Sequence, residues 1–269
     1  MSSISFAKGH GTRNDFVLLL DPSDELELSA AHVRFLCDRR AGVGADGILR
    51  AVRAADAASR AQWFMDYRNA DGSIAEMCGN GLRVFLKFLA EQGLIDSGSR
   101  TTVLTRAGQR TGWFLPDGRI AVTMGAVRFG EPVEVSLGTQ RWPATSVFVG
   151  NPHAVSVLGP DQDLGQLDLA AQPTADPAEV FPAGANFEFV TVSEPGEVTM
   201  RVHERGVGET ASCGTGVVAA AAAAGGAAHV HVRVPGGELE VELSGDEAVL
   251  IGPAVVVAHG ELTWPQELS

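Results

Sequence analysis

Two short stretches of this chain echo each other: Glu76–Arg83, reading EMCGNGLR, and Ala211–Val218, reading ASCGTGVV. Each sets a cysteine before Gly-x-Gly and then runs into an apolar, helix-forming segment, Val84–Leu89 in the first and Val217–Ala224 in the second. The pattern predicts a thiol at the N-terminal end of a helix. There, free backbone N–H groups and the positive end of the dipole stabilise an anion. Such a position lowers a cysteine pKa and supplies a thiolate for nucleophilic or base chemistry. A single buried cysteine is usually inert, so it is the repetition of the glycine frame that constrains the chain.

Other features repeat in the same order. Asn14 and Asn151 each precede an apolar strand, and strand–turn–strand units over Val103–Gly125 and Val232–Gly252 follow the two cysteine helices. This is internal repetition with the period of a whole domain. It predicts two α/β domains of like topology, each with a central helix carrying one cysteine at its start. If the domains face each other, Cys78 and Cys213 converge on an interdomain cleft, where small-molecule sites usually lie.

Between these landmarks, Ile4–Phe6 reads as a short strand and Lys8–Leu20 as a polar turn feeding an apolar strand. Ser29 reads as the cap of a helix through Arg40, with Val33, Leu36 and Cys37 on its core face. Gly42–Gly47, GVGADG, matches G-x-G-x-x-G. A dinucleotide fingerprint needs a strand before it and a helix after it; here a helix precedes and a strand, Ile48–Val52, follows. The match is accidental. Trp63–Tyr67 and the segments within Thr101–Met124 read as strands with turns at Ala107–Gly108 and Pro116–Gly118. Val133–Val135, Ser146–Val149, Gly184–Val192, Val198–His203, Val230–Val234, Leu239–Leu243, Ala248–Ile251 and Ala254–Ala258 continue as strands.

Composition excludes several classes. The net charge of -13 leaves no basic patch, so neither nucleic acid nor an anionic membrane surface is an expected partner. The longest apolar run, Val217–Ala228, is mostly alanine and glycine, too short and too weakly apolar for a membrane span. The opening MSSISFAKGH has no apolar h-region and reads as no signal peptide. Cys37, Cys78 and Cys213 make no disulfide framework, and no His/Cys spacing suggests zinc or another metal. A reduced, cytoplasmic protein is expected. Lysine occurs only at Lys8 and Lys87, neither in a phosphate-binding context, which argues against Schiff-base cofactor chemistry.

Two opposed thiols suit one reaction: removal of a proton from one face of a carbon and its return to the other. One cysteine rests as thiolate, the other as thiol, and their titration belongs to the pair. Helix-start N–H groups around a carboxylate would stabilise the carbanion as charge develops.

Through HGTRNDFV, GVGADGIL, NADGSIAEMCGNGLR, GNPHAV, NFEFV and ERGVGETASCGTG the chain resembles diaminopimelate epimerases, the pyridoxal-independent enzymes that interconvert LL- and meso-2,6-diaminopimelate for lysine and peptidoglycan precursors. The resemblance covers nearly the whole chain. It implies an α/β (α+β) fold of two similar domains from duplication, each a strongly curved, mainly antiparallel sheet wrapped around a central helix. The expected domains are 1–122 with 258–269, and 123–257. It implies Cys78 and Cys213 as acid/base residues, with His153 and Glu204 assisting proton management. Asn14, Asn69, Asn151 and Asn186 would hydrogen-bond the substrate's polar ends, and Gly79, Asn80, Gly214 and Thr215 would present helix-start N–H groups to the reacting carboxylate. Glu204 and Arg205 would hold the substrate, Arg205 as a bidentate partner of the distal carboxylate. No cofactor is implied, and the expected partners are the small-molecule substrate and a second copy in a homodimer.

From the residues alone, His153 is a satisfied strand-end histidine and Arg205 a solvated charge; the resemblance gives both a function. Gly47 stands where some members carry a substrate-touching glutamine, and Arg13 and Phe187 differ from the commonest family residues. His259 stands where some carry a tyrosine used in dimerisation, so a homodimer here would not rest on that contact. A proline or hydroxyproline racemase of the same fold typically has a histidine where this chain has Asn80 and lacks the segment Gly208–Thr210. Phenazine-type isomerases lack the cysteine pair. A redox-sensing binding protein would need the cysteines but not the four asparagines and Arg205.

Overall fold

The computed structural model describes residues 3–54, 61–243 and 245–264. The chain forms two compact units: residues up to Val122 together with those from Pro253 onward, and Thr123–Gly252.

In the first unit, β1 (Ser3–Gly11) and β2 (Asn14–Leu20) form a hairpin, α1 (Ala30–Cys37) crosses over, and β3 (Gly47–Arg53) lies parallel to β2. β4 (Trp63–Asn69) runs antiparallel to β3, then α2 (Gly79–Glu91) leads to β5 (Thr101–Thr105), which lies parallel to β4. β6 (Gly108–Phe114) and β7 (Ile120–Gly125) complete an antiparallel meander.

The second unit repeats this path. After β8 (Arg128–Phe129) and β9 (Val133–Leu137), β10 (Gln140–Val149) and β11 (Asn151–Val157) form the hairpin. A long connection holding β12 (Thr174–Asp176), which pairs with β9, replaces α1. β13 (Asn186–Glu194) then lies parallel to β11 and β14 (Glu197–Glu204) antiparallel to β13. β15 (Gly208–Thr210) folds back on β14; α3 (Gly214–Ala224) leads to β16 (His229–Val234), parallel to β14, and then to β17 (Gly237–Glu242) and β18 (Ala248–Gly252). β19 (Val255–Thr263) returns to the first unit and pairs with β1. Residues 258–264 of the expected return lie in or beside this strand, and 265–269 fall outside the described residues.

The duplication extends to register. Phe16 pairs with Gly47 across β2 and β3, as His153 pairs with Asn186 across β11 and β13. Asn14 and Asn151 therefore open equivalent strands, and Asn69 and Glu204 close equivalent ones.

α2 is the core of the first unit. It packs against β1, β2, β3, β6 and β19, with every residue from Gly79 to Leu86 buried. Leu82, Phe85 and Leu86 are almost entirely removed from solvent, each contributing about 1.5–3 kcal/mol by transfer. β2 is covered on both sides: Phe16 lies toward Gly81 of α2, while Val17 and Leu19 meet Val33 and Leu36 of α1. That explains its unbroken apolar run, since alternation is lost when both faces of a strand are buried. α3 achieves close packing against β10, β11, β13 and β14 with small side chains, Ala219, Ala220 and Ala221 among them.

Two local expectations change. The helix begun by Ser29 ends at Cys37 rather than Arg40, because the Asp38 carboxylate accepts from the N–H groups of Arg40 and Ala41 and stabilises a turn. β1 is much longer than Ile4–Phe6, because β19 supplies its second partner. Gly42–Gly47 lies between α1 and β3, the wrong order for a dinucleotide fingerprint. Among the described residues, no helix is long and apolar enough to cross a membrane, and no cluster of three His, Cys, Asp or Glu side chains could hold a metal.

Candidate active site

Cys78 is the N-cap of α2, in extended conformation, and its sulfur accepts from the N–H of Gly81 at 3.4 Å. Gly81 packs closely beside it: a Cβ there would sit 3.3 Å from Leu49 Cδ2 and 3.4 Å from the Cys78 Cβ and the Phe16 ring. Asn14 approaches from the start of β2. Its Oδ1 lies 3.5 Å from both Cys78 Sγ and Asn80 Nδ2, and its Nδ2 donates to Asp46 Oδ2 at 2.9 Å. Asp46, from the GVGADG loop, thereby aims Asn14. Asn69 closes β4, and its Nδ2 donates to Ser73 Oγ at 3.0 Å. In this unit Asn14, Cys78, Gly79 and Asn80 cluster at the start of α2, while Asn69 bonds Ser73 at the end of β4.

The hairpin that delivers Asn14 is strained. Thr12 and Arg13 occupy its turn with φ of 50° and 65°, a region that β-branched and bulky residues avoid. Thr12 is held there by burial and by its Oγ1, 3.4 Å from Asn80 Oδ1. In the second unit Gly150, with φ 81°, makes the equivalent reversal before Asn151 without that cost.

Cys213 is the N-cap of α3, buried, with Sγ 3.5 Å from Thr215 Oγ1. Its environment opposes the expectation that a helix start lowers the thiol pKa. Burial pushes it well above the usual value, and the Glu204 and Glu188 carboxylates push the same way, outweighing the Thr215 hydroxyl and the Gly216 N–H. Burial likewise raises Glu204, despite hydrogen bonds from Thr210, at 2.5 Å, and from Cys213. At the start of α3 a carboxyl and a thiol are therefore both biased toward their protonated forms.

His153 lies wholly inside, its Nδ1 2.7 Å from Glu188 Oε1 and its Nε2 2.9 Å from Asn151 Oδ1. Asn186 fixes the loop after β14: its Oδ1 accepts from the Arg205 N–H at 3.0 Å and its Nδ2 donates to the Pro152 carbonyl at 3.2 Å. Arg205 is exposed, with Nη1 on the Ala183 carbonyl at 3.1 Å. The structure thus gathers Asn151, His153, Glu204, Cys213, Gly214 and Thr215 around one helix start, with Asn186 and Arg205 one strand end away.

Sequence reasoning missed Glu188, Asp46 and Arg83. Glu188 sits in NFEFV, a carboxylate in an otherwise apolar strand; that contrast was the available signal, since a buried acid needs a partner. Arg83 is wholly buried inside the first turns of α2.

The family model for diaminopimelate epimerase matches residues 6–130 and 145–257. A diaminopimelate epimerase of Thermobifida fusca is 52% identical over 271 residues, covering 96% of this chain and 97% of the relative. Among solved structures, a PhzF-family phenazine biosynthesis protein of Bacillus anthracis superposes with a TM-score of 0.71 at 16% identity, covering 98% of this chain and 100% of that one. A hydroxyproline epimerase of Agrobacterium vitis, with trans-4-hydroxy-L-proline bound, gives 0.70 at 15% identity, covering 97% and 92%. At such identities these structures share the fold alone.

Proposed function

The chain belongs to the diaminopimelate epimerase family, and we propose that it interconverts LL- and meso-2,6-diaminopimelate, without a cofactor, by two-base proton transfer between Cys78, Cys213 and the substrate α-carbon. The observation that carries the mechanism is the pair of N-cap cysteines at equivalent positions of a duplicated fold.

In this mechanism the cysteines flank one α-carbon in the substrate complex. A thiolate takes the α-proton, the C–H electron pair passes into the α-carboxylate, and the opposing thiol returns a proton to the other face. The proton count is unchanged and the cysteines exchange roles. N–H groups at Gly79–Asn80 and Gly214–Thr215 stabilise the growing carboxylate charge. Cys213, pushed toward its protonated form by burial and then by the Glu204 and Glu188 carboxylates, suits the donor role in the first half-reaction. His153 and Glu204 hold protons close to it. Arg205, exposed and, among the described residues, bonded through its guanidinium to the Ala183 carbonyl, suits capture of the distal carboxylate. Asn14, Asn69, Asn151 and Asn186 offer amides that donate to carboxylate and accept from ammonium without adding charge. The proposal extends to two epimerase domains, 1–122 with 258–269 and 123–257, which the internal repetition and the two compact units support, and to a cytoplasmic homodimer, which rests on the family alone.

The test incubates reduced protein with LL-diaminopimelate and follows the LL/meso ratio by chiral chromatography, with L-proline and trans-4-hydroxy-L-proline in parallel. Approach to an LL/meso equilibrium with neither imino acid racemised is the expected result. Turnover of an imino acid alone would move the chain to the racemase reading.

A further inference from the structure

The two units fill equivalent places beside their central helices with different chemistry. Phe16 on β2 and Leu49 on β3 are fully buried against Gly81 of α2, where a Cβ would lie 3.4 Å from the Phe16 ring and 3.3 Å from Leu49 Cδ2. By register, their counterparts on β11 and β13 are His153 and Glu188. These are fully buried too, and a Cβ on Gly216 of α3 would fall 2.6 Å from Glu188 Oε1. One copy of the fold thus closes this space with two apolar side chains, so packing does not require a polar pair there. A buried ion pair gains little stability over apolar residues of similar volume, and its presence in one unit alone calls for another use.

The directions of the hydrogen bonds supply one. His153 Nδ1 lies 2.7 Å from Glu188 Oε1 and Nε2 lies 2.9 Å from Asn151 Oδ1, so both ring nitrogens face oxygens. An amide oxygen only accepts, so Nε2 carries a proton whether the other proton of the pair sits on Nδ1 or on the carboxyl. Asn151 is thereby held by its oxygen, and its Nδ2 edge has no hydrogen-bond partner among the described residues. Asn14, which opens the equivalent strand, is held the other way round: its Nδ2 donates to Asp46 Oδ2 at 2.9 Å, and its Oδ1 is turned toward Cys78 Sγ. Were Nε2 bare, the Asn151 amide would turn its Nδ2 to the ring and offer its oxygen instead.

We propose that the His153–Glu188 pair positions Asn151, holding its amide oxygen so that the N–H edge is offered to a carboxylate of the substrate, while Asn14 offers an oxygen. Glu188 is then a positioning residue that acts through His153. Opposite edges on the two equivalent asparagines suit a ligand that bears both ammonium and carboxylate groups. The carboxylate rests on the epimerase function proposed above; the direction of the amide does not.

The test has two parts. Full-length protein labelled with nitrogen-15 at histidine is observed by NMR without substrate, with His153 assigned from the signal lost in His153→Gln. Nε2 is expected to bear a proton, and a bare Nε2 would overturn the proposal. The second part copies the first unit in the double variant His153→Phe/Glu188→Leu and measures KM and kcat for LL-diaminopimelate, with and without Asn151→Ala. The double variant and Asn151→Ala are each expected to raise KM about tenfold to a hundredfold, the loss of a hydrogen bond to a charged group. The triple variant should raise it no further, because the pair acts on binding through one amide. A merely structural role would leave KM unmoved in the folded double variant or make the two losses multiply, and either result would overturn the proposal. Should the double variant fail to fold, the NMR reading of the parent chain still decides the direction of the amide. Absence of diaminopimelate turnover in the parent chain would fail the epimerase reading alone, since the NMR reading needs no substrate.

Discussion

His153 Nδ1 stands 2.7 Å from Glu188 Oε1, and neither side chain reaches solvent. The contact holds one proton between ring and carboxylate, while Glu188 Oε2 has no partner among the described residues. Such a pair is sensitive to the loss of either member. Glu188→Gln preserves volume and removes the charge that bears on Cys213. We predict a loss of about tenfold to a hundredfold in kcat, on the order of 1.4–2.7 kcal/mol, measured by LL/meso interconversion.

Gly216 gives an independent approach to the same carboxylate. A Cβ there would fall 2.6 Å from Glu188 Oε1. Gly216→Ala should displace Glu188 and lower kcat about tenfold. The double variant with Glu188→Gln should lose little more than Glu188→Gln alone, because both changes act on one contact. Full additivity would mean that Gly216 acts elsewhere.

The Asn14 hairpin predicts a stability effect. Arg13 is exposed at φ 65°, where an L side chain costs about 1–2 kcal/mol and glycine costs less in strain but more in entropy. Arg13→Gly should raise stability by about 0.5 kcal/mol and Arg13→Val should lower it by about 1 kcal/mol, since a β-branched residue avoids this region. Urea midpoints at constant m-value check both.

Asp66 is buried and bonded by Arg50 at 3.0 Å, Arg68 at 3.2 Å and Arg106 at 2.5 Å. Burial works to raise its pKa; the hydrogen bonds of Arg106 and Arg68 outweigh it and hold the carboxyl below its ordinary value. A depressed folded pKa contributes stability that is present above the unfolded value of about 3.9 and lost as pH falls through the folded one. Asp66→Asn should cost about 3–5 kcal/mol at pH 7, and its difference from the parent chain should shrink below about pH 4. Denaturation curves across pH test this.

What was legible in the sequence was local. Gly79, Gly81, Gly214 and Gly216 frame the cysteines within a few residues, so both helix starts could be read directly. So could the turns around Gly108 and Gly118. Glu188 was hidden because its burial follows from the parallel pairing of β11 with β13, a long-range fact. Arg83 reads as the polar face of an amphipathic helix and is interior only because strands surround α2 on all sides. The polar turn before Asn14 and the Ser29 cap were legible, but the positive φ of Thr12 and Arg13 was not, since neither is glycine, nor was the closing of the capping box by His32 where the usual pattern has Glu or Gln. The opposing effect of Glu204 and Glu188 on Cys213 depends on three separate segments meeting.

The central claim is a two-base transfer through Cys78 and Cys213. The most direct test places reduced protein in deuterium oxide with LL-diaminopimelate and follows deuterium at the α-carbon by mass spectrometry during the first turnover, alongside Cys78→Ala and Cys213→Ala. The mechanism predicts that meso product acquires one solvent deuterium while recovered LL substrate acquires almost none, and that both variants lose epimerisation. Undiminished epimerisation in either variant, or meso product formed without solvent deuterium, would contradict it.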